Sequence, residues 1–486
     1  MIKNKILPLV LIVMLIAQQT SYAAFWHKET NTQLGNEIKV EEYPESKDVE
    51  PRIDTDSETK MIVGGVEEVT DISLEECLRC ALGNNPQIQA AMQDVFASDA
   101  RIRQAWSSYF PQFSWQTGYT RIKQLQLSDA LGRNLIFNYY VLGQITASQM
   151  LYDFGVTQNI VTIRKLDNQG YKIMLTGTVN NVVCEVKKAY YNLQYAFEAL
   201  KVAQEMVTRY ESFYEQAKAF YLAGTSPKVD VTIAEVNLSN SKLMLIQAEN
   251  AVDIAMAKLN NAMGLPYSNR YNISESLRYN PCDINLKDAI NIARESRPEF
   301  QLAEIKVEEA RQNVKLVKKS YFPQLTVEGQ YQIGGKTFVP NYGYNVGGYL
   351  NFPTINGMLI RNEIKEAKAL HSRERANAIN TKNNIYYEIQ QAFYSMIEKK
   401  NSIPVSYLGL KQAKENYDLS FGRYKVGVGN PVELKEAQVQ YQNAMLQYYN
   451  SLYQFNSARA ELEKFIGKNI ANGEVELNTE LLESNS

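Results

Sequence analysis

The sequence predicts a mostly helical protein of mixed α and β class, built from two copies of one supersecondary unit. Three observations predict it: residues that recur 212 positions later, two helical stretches of about 70 residues, and four segments of alternating apolar and polar residues. Helices of that length are typical of coiled coils and rods. Strict alternation is typical of β-strands. The chain should therefore combine long helical hairpins with a small amount of sheet.

The composition argues against several classes of protein. The 486 residues contain 51 Lys and Arg against 53 Asp and Glu, so no excess of positive charge is available to bind nucleic acid. Four Cys exclude a disulfide scaffold, and two His argue against a His-based catalytic or metal centre. We therefore expect no catalytic residue, no metal ligand and no cofactor. Tyr is abundant, with 32 residues, and suits positions where the ring is partly buried and the hydroxyl contacts water.

The N-terminus has the three parts of a secretory signal peptide. Lys3 and Lys5 supply the positive charge, residues 6–17 are apolar, and small residues precede a cleavage position after Ala23. We predict that residues 1–23 direct export and are removed, and that residues 24–71 form a polar, acidic extension. No later stretch is long and apolar enough for a transmembrane helix.

The internal repeat divides the rest of the chain. Ser-Tyr-Phe-Pro-Gln occurs at 108–112 and again at 320–324, and Gly264 matches Gly467 after the offset falls to 203. The sequence predicts repeat 1 at 72–264, a linker at 265–283, repeat 2 at 284–467 and a polar tail at 468–486.

Each unit is predicted to run from a helix through a β-hairpin to a long helix and a shorter helix. The bounds are 111–152 and 323–353 for the hairpins, 155–222 and 357–425 for the long helices, and 228–263 and 431–466 for the shorter helices. The first helix of each unit should end at Tyr-Phe-Pro, because Pro stops a helix. Pro404 is expected to kink or break the second long helix.

The strands carry the functional prediction. In the first strand Phe113, Trp115 and Tyr119 share one parity, while Ser114 and Gln116 share the other. We expect strands of about 9–11 residues, which suits tilted membrane-spanning strands, with loops at 122–139 and 334–342. A soluble sheet packed on helices would alternate in the same way.

Four strands per chain are too few to close a barrel. An open edge cannot lie in lipid, because its N–H and C=O groups would be unsatisfied. If the strands span a membrane, several chains must pool them: two chains give eight strands and three give twelve. The polar face would then line a water-filled pore.

Cys77 and Cys80 have the spacing of a metal or redox pair. The corresponding positions of repeat 2 hold Ala289 and Ile292, which are apolar. We therefore expect Cys77 to pack as a small apolar side chain.

The signal peptide, the duplicated order of elements and Tyr-Phe-Pro-Gln at the start of both hairpins resemble the TolC-like outer-membrane efflux proteins, or outer membrane factors. The resemblance covers residues 72–470. It implies a homotrimer whose twelve strands form one transmembrane β-barrel, continued by a long coiled-coil α-helical barrel into the periplasm of a Gram-negative-type cell.

The same resemblance implies a passive duct, not an enzyme, in a tripartite efflux or type I secretion system. Its partners would be a periplasmic adaptor (membrane fusion protein), an inner-membrane pump and outer-membrane lipid. The cargo and the cognate pump are open.

The resemblance also implies the functional residues at the two helix–helix turns. The pore-entrance residues would be Asp230, Tyr424, Glu433 and Glu436, with Glu where the family usually has Asp. The tips that meet the adaptor would be Gly224, Thr225, Ser226, Gly427, Val428, Gly429 and Asn430. Gly429 stands where the family has a basic residue, so the family's salt-bridged closed state is in question. Glu433 and Glu436 could equally act as first-turn carboxylates that stabilise a helix N-terminus.

Two other functions fit part of the pattern. The chain could be a periplasmic or surface coiled-coil protein with a structural or adhesion role, or the periplasmic adaptor of an efflux pump. An adaptor usually has one helical hairpin and extensive β domains, whereas this sequence predicts two long hairpins and few strands. Membrane fractionation separates the duct from the structural protein.

Overall fold

The structure is a computed structural model, and it describes the following residues: 70–128, 134–266, 269–273, 276–279, 281, 284–335, 341–353, 357–471 and 474–476. The predicted signal peptide, the extension up to residue 69 and the tail beyond residue 476 lie outside the described residues.

The described elements in chain order are β1 (Thr70–Ile72), α1 (Leu74–Asn84), α2 (Pro86–Trp106), β2 (Gln112–Ser128), β3 (Asn134–Tyr152), α3 (Val156–Leu222), α4 (Lys228–Met263), β4 (Tyr271–Ile273), α5 (Leu286–Ser296), α6 (Pro298–Lys319), β5 (Gln324–Gly335), β6 (Asn341–Asn351), α7 (Gly357–Lys425), α8 (Pro431–Ile466), β7 (Asn469–Ala471) and β8 (Glu474–Glu476). The order α1–α2–β2–β3–α3–α4 is followed by α5–α6–β5–β6–α7–α8. The molecule is therefore mostly helical, as predicted, and its two halves have the same order of elements.

The first helices of each half begin at local signals in the sequence. Ser73 and Glu76 form a capping box at the start of α1. The Asn85 side chain accepts a hydrogen bond from the Gln87 N–H at the start of α2, and Pro86 occupies the first helical position. In the second half Pro298 likewise occupies the first helical position of α6, which has no side-chain cap.

The long helices are continuous. α3 has 67 residues and α7 has 69, so each extends about 100 Å at 1.5 Å per residue. Of the kink or break predicted at Pro404, the break does not occur, because Pro404 lies inside α7 and the helix continues to Lys425. Ile389 and Met396 before the proline and Tyr417 after it are buried. This packing on both sides holds the helix together across a single missing N–H donor.

The strands form a four-stranded antiparallel sheet in the order β2–β3–β5–β6. The predicted strand length of about 9–11 residues is wrong for the first hairpin, whose strands have 17 and 19 residues. The strands of the second hairpin have 12 and 11 residues. Much of the predicted loops at 122–139 and 334–342 is therefore strand. The backbone pairing of β2 with β3 continues to Lys123 opposite Ile136 and resumes at Ser128 opposite Asn134, so the two strands extend past the length that a bilayer requires.

The register separates the two faces of this sheet. One row across the four strands pairs Trp115 with Ile145, Ile145 with Tyr331, and Tyr331 with Tyr344. These four side chains are between 45% and 79% exposed. The next row, on the opposite face, contains only polar side chains: Ser114, Thr146, Gln330 and Asn345. The predicted segregation of aromatic and polar faces is confirmed in these two rows, whereas the row of Met150, Thr326 and Tyr349 mixes apolar and polar side chains.

The helices pack side by side around α3, which contacts α2, α4, α6 and α8, while α7 contacts α6 and α8. Cys77 and Ala289 are both fully buried in separate clusters of apolar side chains. The interpretation of Cys77 as a small apolar side chain is confirmed. Burial raises the pKa of its thiol to about 12, so the thiolate is disfavoured at neutral pH.

Short strands join segments outside the two hairpins. β1 pairs in parallel with β4, which lies within the predicted linker, and Ile72 is opposite Ile273. β7 and β8 pair in the predicted polar tail. Among the described helices, none combines the length and the apolar composition that crossing a bilayer requires.

Candidate functional site at the helix–helix turns

The first helix–helix turn joins α3 to α4. Gly224 has a left-handed backbone with φ of 73°, and its N–H donates to the Tyr221 carbonyl at 3.0 Å. The Thr225 N–H donates to the Phe220 carbonyl at 3.0 Å. This pair of bonds is a Schellman motif, which satisfies the last carbonyls of a helix and favours Gly at the left-handed position. Pro227 then precedes α4 without a side-chain cap.

The second turn, between α7 and α8, has the same backbone. Gly427 has φ of 78°, its N–H donates to the Tyr424 carbonyl at 3.0 Å, and the Val428 N–H donates to the Arg423 carbonyl at 3.1 Å. The Gly429 N–H makes a further bond to the same Arg423 carbonyl at 2.9 Å. The second turn is therefore tighter than the first by one backbone hydrogen bond.

Gly429 is required by this extra bond. A Cβ atom at position 429 would lie 2.6 Å from the Tyr424 amide nitrogen and 2.9 Å from the Arg423 carbonyl carbon. Both contacts are to backbone, which cannot swing aside as a flexible side chain can. The close approach of the two segments explains why glycine, and not a basic residue, occupies this position.

Side chains also fasten the second turn. The Asn430 side chain accepts a hydrogen bond from the Val432 N–H at 2.9 Å and caps α8. Glu433 in the first turn of α8 forms an ion pair with Arg423 at 2.8 Å, and both side chains are about half exposed, at 45% and 57%. Glu433 therefore closes the turn within its own hairpin, and Arg423 is a partner that the sequence reasoning missed.

Glu436 lies one helical turn further along α8 and is exposed. In the part of the chain that the structure describes, Glu436 makes no ion pair, whereas Glu433 does. The structure thus gives the two carboxylates different surroundings. Of these two carboxylates, Glu436 is the one without an ion-pair partner among the described residues.

Tyr424 and Asp230 lie near each other, although they belong to different hairpins. The Tyr424 ring is 4% exposed and contacts Phe213 and Phe220 of α3, with ring centroids 5.1 and 6.0 Å apart. Burial raises the pKa of the Tyr424 hydroxyl, and the Asp230 carboxylate adds to that rise. Tyr424 therefore stays neutral at physiological pH and joins the two hairpins by packing.

A second contact between the hairpins involves Arg209 of α3. Its guanidinium lies 4.9 Å from the centroid of the Tyr417 ring on α7 and 5.4 Å from that of Tyr441 on α8. Glu205 accepts a hydrogen bond from the Arg209 Nε at 3.2 Å. The sequence reasoning missed this cluster, because its members are far apart in the chain and only packing brings them together.

Exposed aliphatic side chains surround both turns. Leu222, Val426 and Val428 are each about three-quarters exposed, at 76%, 74% and 75%. Large apolar groups at the exposed end of a hairpin are typical of a protein-docking surface. The sequence reasoning named Val428 but not Leu222 or Val426; aliphatic residues that flank a Gly turn are the signal that could have found them.

Within the described ranges, no three His, Cys, Asp or Glu side chains are grouped closely enough to hold a metal ion. The turns present exposed aliphatic side chains and exposed carboxylates.

Comparison with known proteins gives a consistent result. The sequence profile of the outer membrane efflux protein family matches residues 77–265 and 289–468, which make up most of the chain. Protein CyaE of Bordetella pertussis is 22% identical over 379 residues, or 76% of this chain and 79% of the relative. Toxin and drug export protein A of Aggregatibacter actinomycetemcomitans is 21% identical over 353 residues, or 71% of this chain and 72% of the relative.

The fold is also found among solved structures. The crystal structure of the CmeC outer membrane channel of Campylobacter jejuni superposes with a TM-score of 0.72 at 17% identity, covering 85% of this chain and 88% of that chain. At this level of identity, the similarity establishes the fold.

Proposed function

The chain belongs to the outer membrane efflux protein family, and we propose that it is the passive outer-membrane duct of a tripartite efflux or type I secretion system. The observation that carries this proposal is the four-stranded sheet, which has an aromatic row on one face, a polar row on the other and two edges that no further strand of the described residues covers. The duct is not an enzyme, and a partner supplies the energy. The protein lies in the outer membrane of a Gram-negative-type cell and extends into the periplasm.

The sheet requires further copies of the chain. In the described part of the chain, the edge strands β2 and β6 each have one neighbour. In lipid, the open edges would leave backbone N–H and C=O groups without partners. Pooling three chains gives the twelve-stranded barrel of a homotrimer, with the Trp115 row facing lipid and the Ser114 row facing water.

The helices, which pack side by side, support the same closure. Near the two helix–helix turns, α4 and α7 are the helices at the two sides of this layer. Both expose large apolar side chains, among them Val236, Ile246, Val405 and Tyr407. When α7 of one copy meets α4 of the next, these side chains are buried and the helices close into a tunnel. The matching order of elements in the two halves supports an internal duplication, which gives the trimer six similar units.

The turns are the periplasmic end of this tunnel. Exposed Leu222, Val426 and Val428 supply an apolar surface for the periplasmic adaptor, together with the polar tip residues Thr225, Ser226 and Asn430. An inner-membrane pump then selects the cargo. The name of the Aggregatibacter relative, toxin and drug export protein A, supports an export role for this chain.

The pore entrance is formed by Asp230, Tyr424, Glu433 and Glu436. Three copies of each exposed carboxylate around a narrow opening would create a negative field that favours cations and repels anions. Because Arg423 offsets the charge of Glu433, Glu436 contributes more to this field than Glu433.

Fractionation and conductance test the duct. We expect the protein in the outer-membrane fraction as a detergent-resistant oligomer with heat-modifiable migration, and we expect the purified oligomer to form discrete channels in planar lipid bilayers. The adaptor and pump should co-purify with it after cross-linking. A water-soluble monomer without channel activity would show that the protein has another function, such as a coiled-coil scaffold.

Charge removal tests the entrance in the same bilayers. Glu436→Gln should lower cation selectivity and block by divalent cations more than Glu433→Gln, and the double variant should lower both most. The control is Glu295→Gln, an exposed residue in α5, which is remote from the turns. Unchanged selectivity in the double variant would remove both residues from the entrance.

A further inference from the structure

The junction between α6 and β5 carries a cluster of positive charge. Lys315, Lys318 and Lys319 lie in the last turns of α6, directly before the sheet begins. No Asp or Glu occurs in the sequence between Glu309 and Glu328. We call these three lysines the basic junction.

Aromatic contacts show which face of the sheet the basic junction adjoins. Phe322 follows Lys318 by four residues, and its ring stacks on Phe154 with centroids 5.1 Å apart. Phe154 in turn contacts Tyr152 at 4.8 Å. Tyr152 is paired with Leu325, which has the parity of Tyr331 on the aromatic face. The lysines therefore precede an aromatic cluster on the face assigned to lipid.

The ammonium groups have capacity for a ligand. The Lys319 Nζ donates one hydrogen bond to the Gly155 carbonyl at 2.6 Å, which leaves two N–H donors. Lys315 and Lys318 are exposed and make no ion pair within the described ranges. The nearby Asp153 is buried, and its carboxylate accepts from the N–H groups of Gly155 and Thr157. Asp153 is therefore engaged in capping α3.

A neighbouring copy would not cover the basic junction. α6 packs between α3 and α7 of its own chain, whereas copies meet along α4, α7 and the sheet edges in the assembly proposed above. The exposed side of α6 next to the sheet therefore stays uncovered by protein in the proposed trimer.

The first half of the chain differs at the corresponding positions, 212 residues earlier. Arg103, Trp106 and Ser107 stand where repeat 2 has Lys315, Lys318 and Lys319. Arg103 forms an ion pair with Asp99 at 2.8 Å. The first junction thus has an aromatic ring and a paired arginine, whereas Lys315 and Lys318 of the basic junction form no ion pair with any residue that the structure describes.

We propose that the basic junction binds the phosphate groups of anionic phospholipids at the periplasmic edge of the membrane. This inference rests on the proposed function, because it places the aromatic face of the sheet in lipid. Aromatic rings favour the level of the headgroups, and lysine side chains reach toward that level from nearby helices. A cluster of lysines there attracts anionic lipid with a free energy of about 1 kcal/mol per charge.

Native mass spectrometry of the purified protein in detergent tests the proposal, with phosphatidylglycerol and phosphatidylcholine as the two probes. We expect the wild-type oligomer to prefer phosphatidylglycerol. The variant Lys315→Gln/Lys318→Gln should lower that preference about 25-fold, since about 1 kcal/mol per charge corresponds to about fivefold for each lysine.

Three controls keep the test specific. Lys315→Arg/Lys318→Arg should retain the preference because it keeps the charges, and Arg103→Gln in the first junction should leave it unchanged. Added inorganic phosphate should not displace the lipid; displacement would show a site for free phosphate and overturn the proposal.

The outcomes separate the two claims. An oligomer whose preference is the same in wild type and in the double lysine variant overturns the inference alone. A wild-type chain that stays monomeric overturns the proposed function and, with it, the inference.

Discussion

The first turn, at Gly224, and the second turn, at Gly427, have the same pair of backbone hydrogen bonds but different side-chain supports. Tyr221 and Tyr424 occupy corresponding positions, yet Tyr221 is 43% exposed whereas Tyr424 is 4% exposed. The second turn also has the Arg423–Glu433 ion pair and the Asn430 cap, for which the first turn has no counterpart in the described structure.

This difference shows that two copies of one backbone turn can be held to their neighbours to different degrees. The backbone turn is set by a glycine in a left-handed conformation and can be repeated without change. The side chains around it decide how firmly a tip is held to its neighbour. The second tip is held to the first hairpin through Tyr424, while the first tip has its backbone bonds and a hydrogen bond that the Thr225 hydroxyl donates to the Phe220 carbonyl at 3.0 Å.

The largest expected effect comes from the buried tyrosine. Tyr424→Ala should lower the free energy of local opening around the second turn by about 3 kcal/mol, because a large buried ring leaves a cavity. Amide hydrogen exchange of residues 413–440 measures this change. The matched variant Tyr221→Ala should alter exchange at the first turn by less than about 1 kcal/mol. Equal effects in the two variants would contradict the asymmetry of the tips.

A smaller effect is expected at Gly429. Gly429→Ala forces a Cβ atom against the backbone of residues 423 and 424, at a cost of about 1–3 kcal/mol. Hydrogen exchange of the Gly427, Val428 and position 429 amides should rise accordingly. Gly409→Ala is the control, since nothing lies within 4 Å of a Cβ atom there and Ala favours a helix interior. If both variants behaved alike, the close approach at position 429 would be refuted.

The smallest effect is expected at the exposed ion pair. Arg423→Gln should destabilise the second turn by about 0–1 kcal/mol at low ionic strength, and the difference from wild type should shrink as salt is added. Thermal unfolding of the purified oligomer at low and high salt measures it. The control variant Arg278→Gln carries the same substitution outside both turns, and its difference in thermal unfolding from wild type should not depend on salt. A salt-independent loss at Arg423 would indicate lost packing and not lost charge.

Particular elements show how far sequence reasoning reaches. The order of helices and strands follows from local signals, such as Pro86 and Pro298 at helix starts and glycines after helix ends. The two faces of the sheet follow from alternation. The predicted strand lengths of the first hairpin were wrong, because the backbone pairing of β2 with β3 continues beyond the length that a membrane requires. Of the kink or break predicted at Pro404, the break does not occur, because packing against neighbouring helices outweighs one missing donor.

The candidate site was predictable only in part. The turns, the glycines and the acidic residues could be located from the repeat and from the family resemblance. The pairing of Glu433 with Arg423, and the cluster of Arg209 with Tyr417 and Tyr441, could not. These contacts join residues that are up to 232 positions apart, and no spacing rule connects them.

The period of each element follows from the order of residues along the chain, because periodicity depends only on which side chains can share one face of a helix or strand. The glycine turns follow from that order as well, since a left-handed residue without a Cβ atom is a local requirement. The tertiary structure alone decided which tyrosine is buried, which carboxylate is paired and why position 429 must be glycine. Each of these depends on distances between segments, and folding sets those distances through the packing of whole helices.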